Sequence, residues 1–461
     1  MSKMKVYTSL FPYQEKAVEK LRHIKVGALY MDTGTGKTRT GLELVRVRME
    51  AGKVNHVIWL CPCNIKNDIR RGIREHSNLD DLGCLDIVGI ETLSSSYREQ
   101  RRLLDLVQRC SAYLIVDESS MVKNPRAIRS VRIQELAKHC RYKLILSGTP
   151  VSRNEADLYA QWALLDWRIL GYQSFFSFAA NHLEYYTVVL PSGREVKTDQ
   201  VKRVLNVDYL AAKIAPYTYQ VRKDECLELP AKRYQVRTFD LTPGQNWLYE
   251  ETKSLYLANV QDWRNETIYK LFTALQHVSS GRRVLTDPSE HMETEPFFSS
   301  PFENPRIQCL EETLNIIEKE KAIIFCKYKS EAGEIEALLN RMGITWVDFT
   351  GQTSSKQRQK NLLLFRGDAQ VMISNKSCGA YGLNLQFCHN IIFYDNDFDY
   401  ATRAQAEDRV YRIGQEHDVS IYDICANNTI DSFIASNLTQ KECMLECFKD
   451  YVKKLKEKKW E

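Results

Sequence analysis

The sequence predicts an α/β protein built as two parallel-sheet lobes with a mainly helical insertion between them. Three observations carry that expectation. Strand-like apolar runs alternate with helix-like runs in two separate blocks, the mark of parallel α/β units. The stretch between the blocks loses that alternation. The length of 461 residues, at about 150 per domain, leaves room for roughly three folding units.

The first block carries apolar runs at Val26 to Met31, His56 to Pro62, Cys84 to Val88, Ala112 to Val116 and Lys143 to Leu146. The second carries them at Ala322 to Cys326, Ile344 to Phe349, Val371 to Ser374, Ile391 to Tyr394 and Val419 to Cys425. Residues 1–166 are therefore read as the first lobe, 167–275 as the helical insertion and 307–440 as the second lobe. Within the insertion, Thr187 to Val196 places turn residues between two β-prone runs and predicts a small hairpin. The stretch Asp287 to Pro305 holds four of the twelve prolines, so 276–306 reads as an exposed linker. Residues 441–461 read as a basic helical tail, and Lys453 to Lys459 predict that it strengthens nucleic-acid binding.

Composition narrows the class. With 44% hydrophobic and 27% charged residues, disorder, collagen and coiled coil are excluded as descriptions of the whole chain. No run of about 18 apolar residues occurs, and Met1-Ser2-Lys3-Met4-Lys5 leads into polar sequence, so a soluble, unsecreted protein with no membrane partner is expected. The 13 cysteines are odd in number and irregularly spaced, which predicts reduced thiols in a cytosol-like compartment and no paired zinc knuckles. A net charge of +5 permits a nucleic-acid partner without requiring one.

Motifs carry the chemistry. Met31-Asp32-Thr33-Gly34-Thr35-Gly36-Lys37-Thr38 follows a strand and precedes a helix-like run. In that context Gly34, Thr35 and Gly36 let backbone amides close on phosphate oxygens, Lys37 supplies charge to the β and γ phosphates, and Thr38 can ligate magnesium. The strict pattern wants glycine where Met31 stands, and the string alone also suits a glycine turn before a helix. A second motif decides between these. Asp117-Glu118 ends an apolar strand, where α/β sheets bind ligands: the first carboxylate is suited to holding magnesium and the second to polarising attacking water. Lys123-Asn124-Pro125 and Ser147-Gly148-Thr149-Pro150 follow, and the hydroxyls of Ser147 and Thr149 are placed to sense the γ-phosphate. Upstream, the Gln14 amide can pair with an adenine edge, although a lone glutamine carries little information. Arg409 and Arg412 are three apart, so on a helix both project from one face towards charge developing on a transferring phosphoryl group.

The order Gln14, Gly34 to Thr38, Asp117-Glu118, Lys123-Asn124, Ser147 to Pro150, Gly382-Leu383-Asn384-Leu385 and Gln405 to Gln415 resembles superfamily-two helicases, and within them the Swi/Snf-type translocase ATPases. The segment Ser374 to Asp431 carries the most specific likeness. The resemblance implies two RecA-like lobes with ATP in the cleft; Gln14, Gly34 to Thr38, Asp117 and Gly382 on the nucleotide; Thr38 and Asp117 on magnesium; Glu118 activating water; and Gln405, Arg409 and Arg412 completing the site from the second lobe. By family position, Pro62, Asn64, Lys123, Asn124, Thr350, Gly351, Arg358, Asn375 and Lys376 are the expected contacts to a phosphate backbone. Three positions depart from the family pattern: Ser119-Ser120 stand where Ala-His is common, Phe398-Asp399-Tyr400 where Trp-Asn-Pro is frequent, and Gln220-Val221 where Arg-Arg is usual. None removes a phosphate-handling group.

The function expected from this is ATP-driven translocation on double-stranded DNA without base specificity, in the cytoplasm of a bacterial cell or a phage-infected host. A strand-separating DNA or RNA helicase and a catalytically silent nucleic-acid-binding module are the alternatives. Intact Lys37, Asp117, Glu118, Arg409 and Arg412 argue against the silent module.

Overall fold

The computed structural model describes residues 3–148, 155–189, 195–259, 265–285, 292–376, 383–396 and 400–438. The expectations for Gly382, Thr149, Pro150, Phe398-Asp399, the hairpin tip 190–194 and the tail 441–461 fall outside them. The chain divides into two units, Met1–Glu228 and Leu229–Glu461.

The first unit is built on a six-stranded parallel sheet. Its strands are β1 (Val26–Met31), β2 (His56–Cys61), β3 (Leu85–Gly89), β4 (Ala112–Asp117), β5 (Tyr142–Ser147) and, after a β6–β7 hairpin (Leu183–Val189 and Glu195–Val204), β8 (Thr218–Val221). The spatial order is β3-β2-β4-β5-β1-β8. Side chains of a strand alternate between faces, so Ala28, Tyr30, Ile58, Leu60, Leu114 and Val116 point into one core with Ile133 and Leu136 of the helix Ile128–His139 and with Trp162 and Leu165 of the helix Asp157–Leu170. Their neighbours Leu29, Met31, Trp59 and Ile115 are equally buried on the other face. Burial on both faces is why these runs are continuously apolar.

The second unit repeats the plan. Its strands are β9 (Lys232–Phe239), the short antiparallel pair β10 (Arg282–Val284) and β11 (Thr294–Pro296), then β12 (Ala322–Phe325), β13 (Trp346–Phe349), β14 (Val371–Ser374), β15 (Asn390–Phe393) and β16 (Val419–Ala426). The six-stranded parallel sheet runs β13-β14-β12-β15-β16-β9. Ile324, Ile373, Ile392 and Ile424 form one face with Leu310 and Leu338, while Ile323, Phe325, Ile391 and Phe393 form the other with Phe365, Ala406 and Val410.

Two boundaries differ from the sequence reading. The stretch 167–275 does not form a unit of its own: β8 pairs with β1 at four positions, β9 pairs with β16 along all eight of its residues, and the helices Pro243–Asn259 and Asn265–Ser279 pack on Ile430 and Ile434 of the second unit. Strand pairing outweighs the loss of sequence alternation. The described residues of 276–306 are packed as well. Asn304 caps the helix Pro305–Ile317 and its amide donates to Ser280 O at 3.1 Å, while the Arg306 guanidinium is fully buried against Asp431. Polar residues there satisfy buried groups instead of facing water.

Candidate functional site

The strand order of the first unit sets the geometry. Parallel strands bring their carboxyl ends to one edge, and there β5 lies between β1 and β4, with Ser147 beside Tyr30 and Leu146 beside Asp117. The loop after β1, the turn after β5 and the carboxylates after β4 therefore share one edge.

Residues 32–36 join β1 to the helix Lys37–Glu50. Gly34 and Gly36 have φ of 87° and 83°, values that cost a residue bearing Cβ. The first intrahelical bond from the side of the loop is Thr40 N to Gly36 O at 3.0 Å, so the preceding amides stand at the helix N-terminus, where anions bind. Thr35 Oγ1 donates to Asp32 O at 2.7 Å, and the Lys37 ammonium donates to Met31 O at 2.9 Å, folded back over the loop. Asp32 is itself anchored, accepting from Lys223 N at 2.9 Å.

Gln14 is only 2% exposed. Its amide donates to Thr35 O and accepts from Phe11 N, both at 3.0 Å, and Tyr13 donates a further bond to the same Thr35 carbonyl at 2.9 Å. One N–H and one lone pair of the amide are thus committed to the loop, and pairing with an adenine edge would use the second N–H and the second lone pair. In this structure Gln14 is a strut under the phosphate loop.

Asp117 is buried, and burial followed by the charge of Glu118 pushes its carboxyl up to about 6, with Lys37 and Trp59 acting in the opposite direction. Trp59 Nε1 approaches Asp117 Oδ2 at 3.4 Å, and Asp117 Oδ1 accepts from Glu118 N at 3.0 Å. A buried carboxylate held with so little compensation favours a cation. The donor set, one hydroxyl at Thr38 and one carboxylate at Asp117, suits magnesium, a hard ion that takes few protein ligands and fills its shell with phosphate oxygens and water. The loop is packed closely enough to need glycine: a Cβ on Gly36 would stand 2.3 Å from Gln14 Nε2, and one on Gly148 would stand 3.0 Å from Thr33 Oγ1 and 3.4 Å from Lys37 Nζ.

In the second unit the helix Tyr400–Val410 carries Gln405, half-buried, and Arg409, buried. Arg412 does not share a face with Arg409. The helix stops at Val410, the chain turns through Gly414 at φ 90°, and the Gln415 amide closes the turn by donating to Cys388 O at 2.9 Å. Arg412 is held instead by the Asn384 side chain and, at 3.3 Å, by Leu383 O. The helix is fixed from below by Arg403, whose guanidinium pairs with Asp423 and Glu407.

The residues expected on a nucleic-acid track separate into two groups. Asn64, Asn124 and Gly351 are exposed, and Lys123 and Arg358 are half-buried. Pro62 and Thr350 are buried. Lys376 is 5% exposed with its ammonium 3.4 Å from Asp395, which removes it from any surface track. Asn375 is a staple: its side chain accepts from Gly351 N at 3.1 Å and donates to Cys326 O at 2.9 Å. Basic clusters elsewhere are also engaged. Arg70 and Arg74 pair with Asp80, and Arg129 and Arg132 donate to the carbonyls of Met121 and Leu93. Sequence reasoning missed Tyr13 and Trp59, because each acts over a long sequence separation with no local signal.

Known proteins extend this picture. Residues 82–290 match the SNF2-related domain, residues 305–414 the helicase conserved C-terminal domain, and residues 7–152 the type III restriction enzyme res subunit. The TATA-binding protein-associated factor mot1 of Aspergillus fumigatus is 23% identical over 93% of this chain, which spans 26% of that protein's length. The ATP-dependent helicase YqhH of Bacillus subtilis is 23% identical over 94% of this chain and 77% of its own. Among solved structures, the SWI2/SNF2 ATPase core of Sulfolobus solfataricus in complex with dsDNA is 18% identical, with 98% of this chain and 94% of that one covered and a TM-score of 0.41.

Proposed function

Because the chain belongs to the SNF2-related ATPases of helicase superfamily two, we propose that it uses ATP hydrolysis to translocate on double-stranded DNA, gripping the phosphate backbone without reading bases. The observation that carries this reading is the SNF2-related match over 82–290, followed along the chain by the helicase C-terminal match over 305–414. It is supported by the exposed side chains of Asn64 and Asn124 and the half-buried cations Lys123 and Arg358, since backbone contacts need only amides and cations.

In this reading the amides at the start of the Lys37 helix cradle the ATP phosphates, and Lys37 leaves Met31 O to meet them. Magnesium, when bound to Thr38 and Asp117, would shield phosphate charge. Glu118 accepts the proton of the attacking water, and Gln405, Arg409 and Arg412 supply the polar and cationic groups that the developing charge requires.

The test is steady-state ATP hydrolysis without nucleic acid and with single-stranded DNA, duplex DNA or RNA, beside a Glu118→Gln control. Stimulation by duplex DNA that vanishes in the control is expected, together with displacement of a third strand from a triplex while the duplex stays paired. Stimulation by another nucleic acid, or separation of the duplex, would replace the translocase by a strand-separating motor.

A further inference from the structure

Glu118 sits in a conformation its residue type does not favour. Its φ of 51° and ψ of 55° are left-handed, which costs a non-glycine residue and persists only where the surroundings impose it. The residues that follow, Ser119–Val122, form a single short 3-10 turn ending at Lys123. Two helices hold that turn. From the helix Ile128–His139, Arg129 Nε donates to Met121 O at 2.8 Å and Ser130 Oγ donates to Val122 O at 3.1 Å. From the helix Asp157–Leu170, Gln161 Oε1 accepts from Ser119 Oγ at 2.6 Å, and the Asp157 carboxylate lies 3.7 Å from the Lys123 ammonium.

Residues 157 and 161 are one helical turn apart and share a face. They meet the two ends of the short turn, Ser119 and Lys123. The Gln161 amide is fixed in its own right, its Nε2 donating to Asp157 O at 2.9 Å. Ser119 and Gln161 are both fully buried, so water cannot replace the bond between them. Of these contacts, the one from Gln161 is nearest to Glu118. It also involves Ser119, one of the positions at which the sequence departs from its family.

We infer that Gln161 is a positioning residue for Glu118: through Ser119 it holds the left-handed turn that presents the carboxylate to the attacking water. The inference rests on Glu118 acting as the general base, and the Glu118→Gln control separates the two claims. If that variant keeps wild-type turnover, the role of Glu118 falls and not the bond to Gln161.

The experiment measures kcat and KM for ATP and the thermal midpoint in full-length Ser119→Ala, Gln161→Leu, the double variant and Gln161→Glu. A pre-organised group displaced by a fraction of an ångström loses turnover and not ground-state binding. Ser119→Ala and Gln161→Leu should each lower kcat about tenfold at unchanged KM, with the double variant no worse than the singles. Gln161→Glu should recover turnover at the acid end of the assay range, where its protonated carboxyl offers the same acceptor and donor, and lose it as the carboxyl ionises. Should Gln161→Leu fail to fold, Ser119→Ala removes one hydroxyl only and carries the test. A lowered thermal midpoint with kcat unchanged, or additive losses in the double variant, would overturn the inference.

Discussion

Gly36→Ala is the most informative single change at the phosphate loop, because two separate costs meet there. At φ 83° and ψ 35° an alanine loses about 1–2 kcal/mol to the left-handed backbone. Its Cβ would also stand 2.3 Å from Gln14 Nε2, so the buried amide must move and give up its bonds to Thr35 O and Phe11 N. At about 1 kcal/mol net for each buried bond, the whole substitution should cost roughly 3–4 kcal/mol of local stability. Gln14→Ala alone forfeits the same two bonds, about 2 kcal/mol, while Tyr13 still holds Thr35. In the double variant nothing is left to clash. Its cost should then be about 3–4 kcal/mol, some 2 kcal/mol less than the sum of the singles. Hydrogen exchange of the full-length protein over residues 31–45 reads the local free energies, and the KM for ATP should rise in Gly36→Ala as the amides shift. Strict additivity, or a Gly36→Ala cost no larger than the backbone contribution, refutes the strut role of Gln14.

Further expectations concern charge and burial. Asp117, pushed up to about 6 chiefly by burial, binds more protons folded than unfolded below that value, so nucleotide-free stability should decline as pH rises from about 4 to 6 and stay lowered above it; thermal midpoints of wild type and Asp117→Asn check this, and identical profiles would contradict it. Arg403→Ala leaves Asp423 and Glu407 buried without their cation, although Lys232 still reaches Glu407; a loss of about 3–5 kcal/mol is expected in denaturant unfolding, and a loss under 1 kcal/mol would show that the carboxylates relax to solvent. Lys376→Met should lower stability by leaving Asp395 unpaired beside Glu331, itself pushed up to about 8 by burial and by Asp395. The salt dependence of DNA affinity should be untouched by that change, and a reduced slope would return Lys376 to the nucleic-acid surface. By the same measure Lys123→Ala should lower the slope by about one, and an unchanged slope removes Lys123 from the contact set.

Much of the fold and the site was legible in the residue order. Chemistry confined to a short stretch writes itself locally: a strand, a glycine pair with positive φ and a helix starting at Lys37 need only neighbouring residues, as does a carboxylate pair at the end of an apolar strand. Ten of the parallel strands announced themselves as apolar runs, most of them because both their faces are buried. Two of the four edge strands, β8 and β9, did not. In β8, Tyr219 and Gln220 are not buried, and β9 exposes most of its length, so neither needed an apolar run; their places come from pairing with β1 and β16. Gln14 could be read as a base-pairing amide, but that it also braces the loop through Thr35 and Phe11 shows only in the fold; Arg412 could be read as a helical partner of Arg409 until the chain turned at Gly414. Lys376 looked like a surface cation until Asp395 closed on it. Sequence by itself determined that the glycine loop before Lys37 and the carboxylate pair at the end of β4 would form, because each depends on residue type and spacing along the chain. Which polar side chains stay available to a ligand was decided only by tertiary structure, because a buried donor or acceptor must find its partner wherever the fold delivers one.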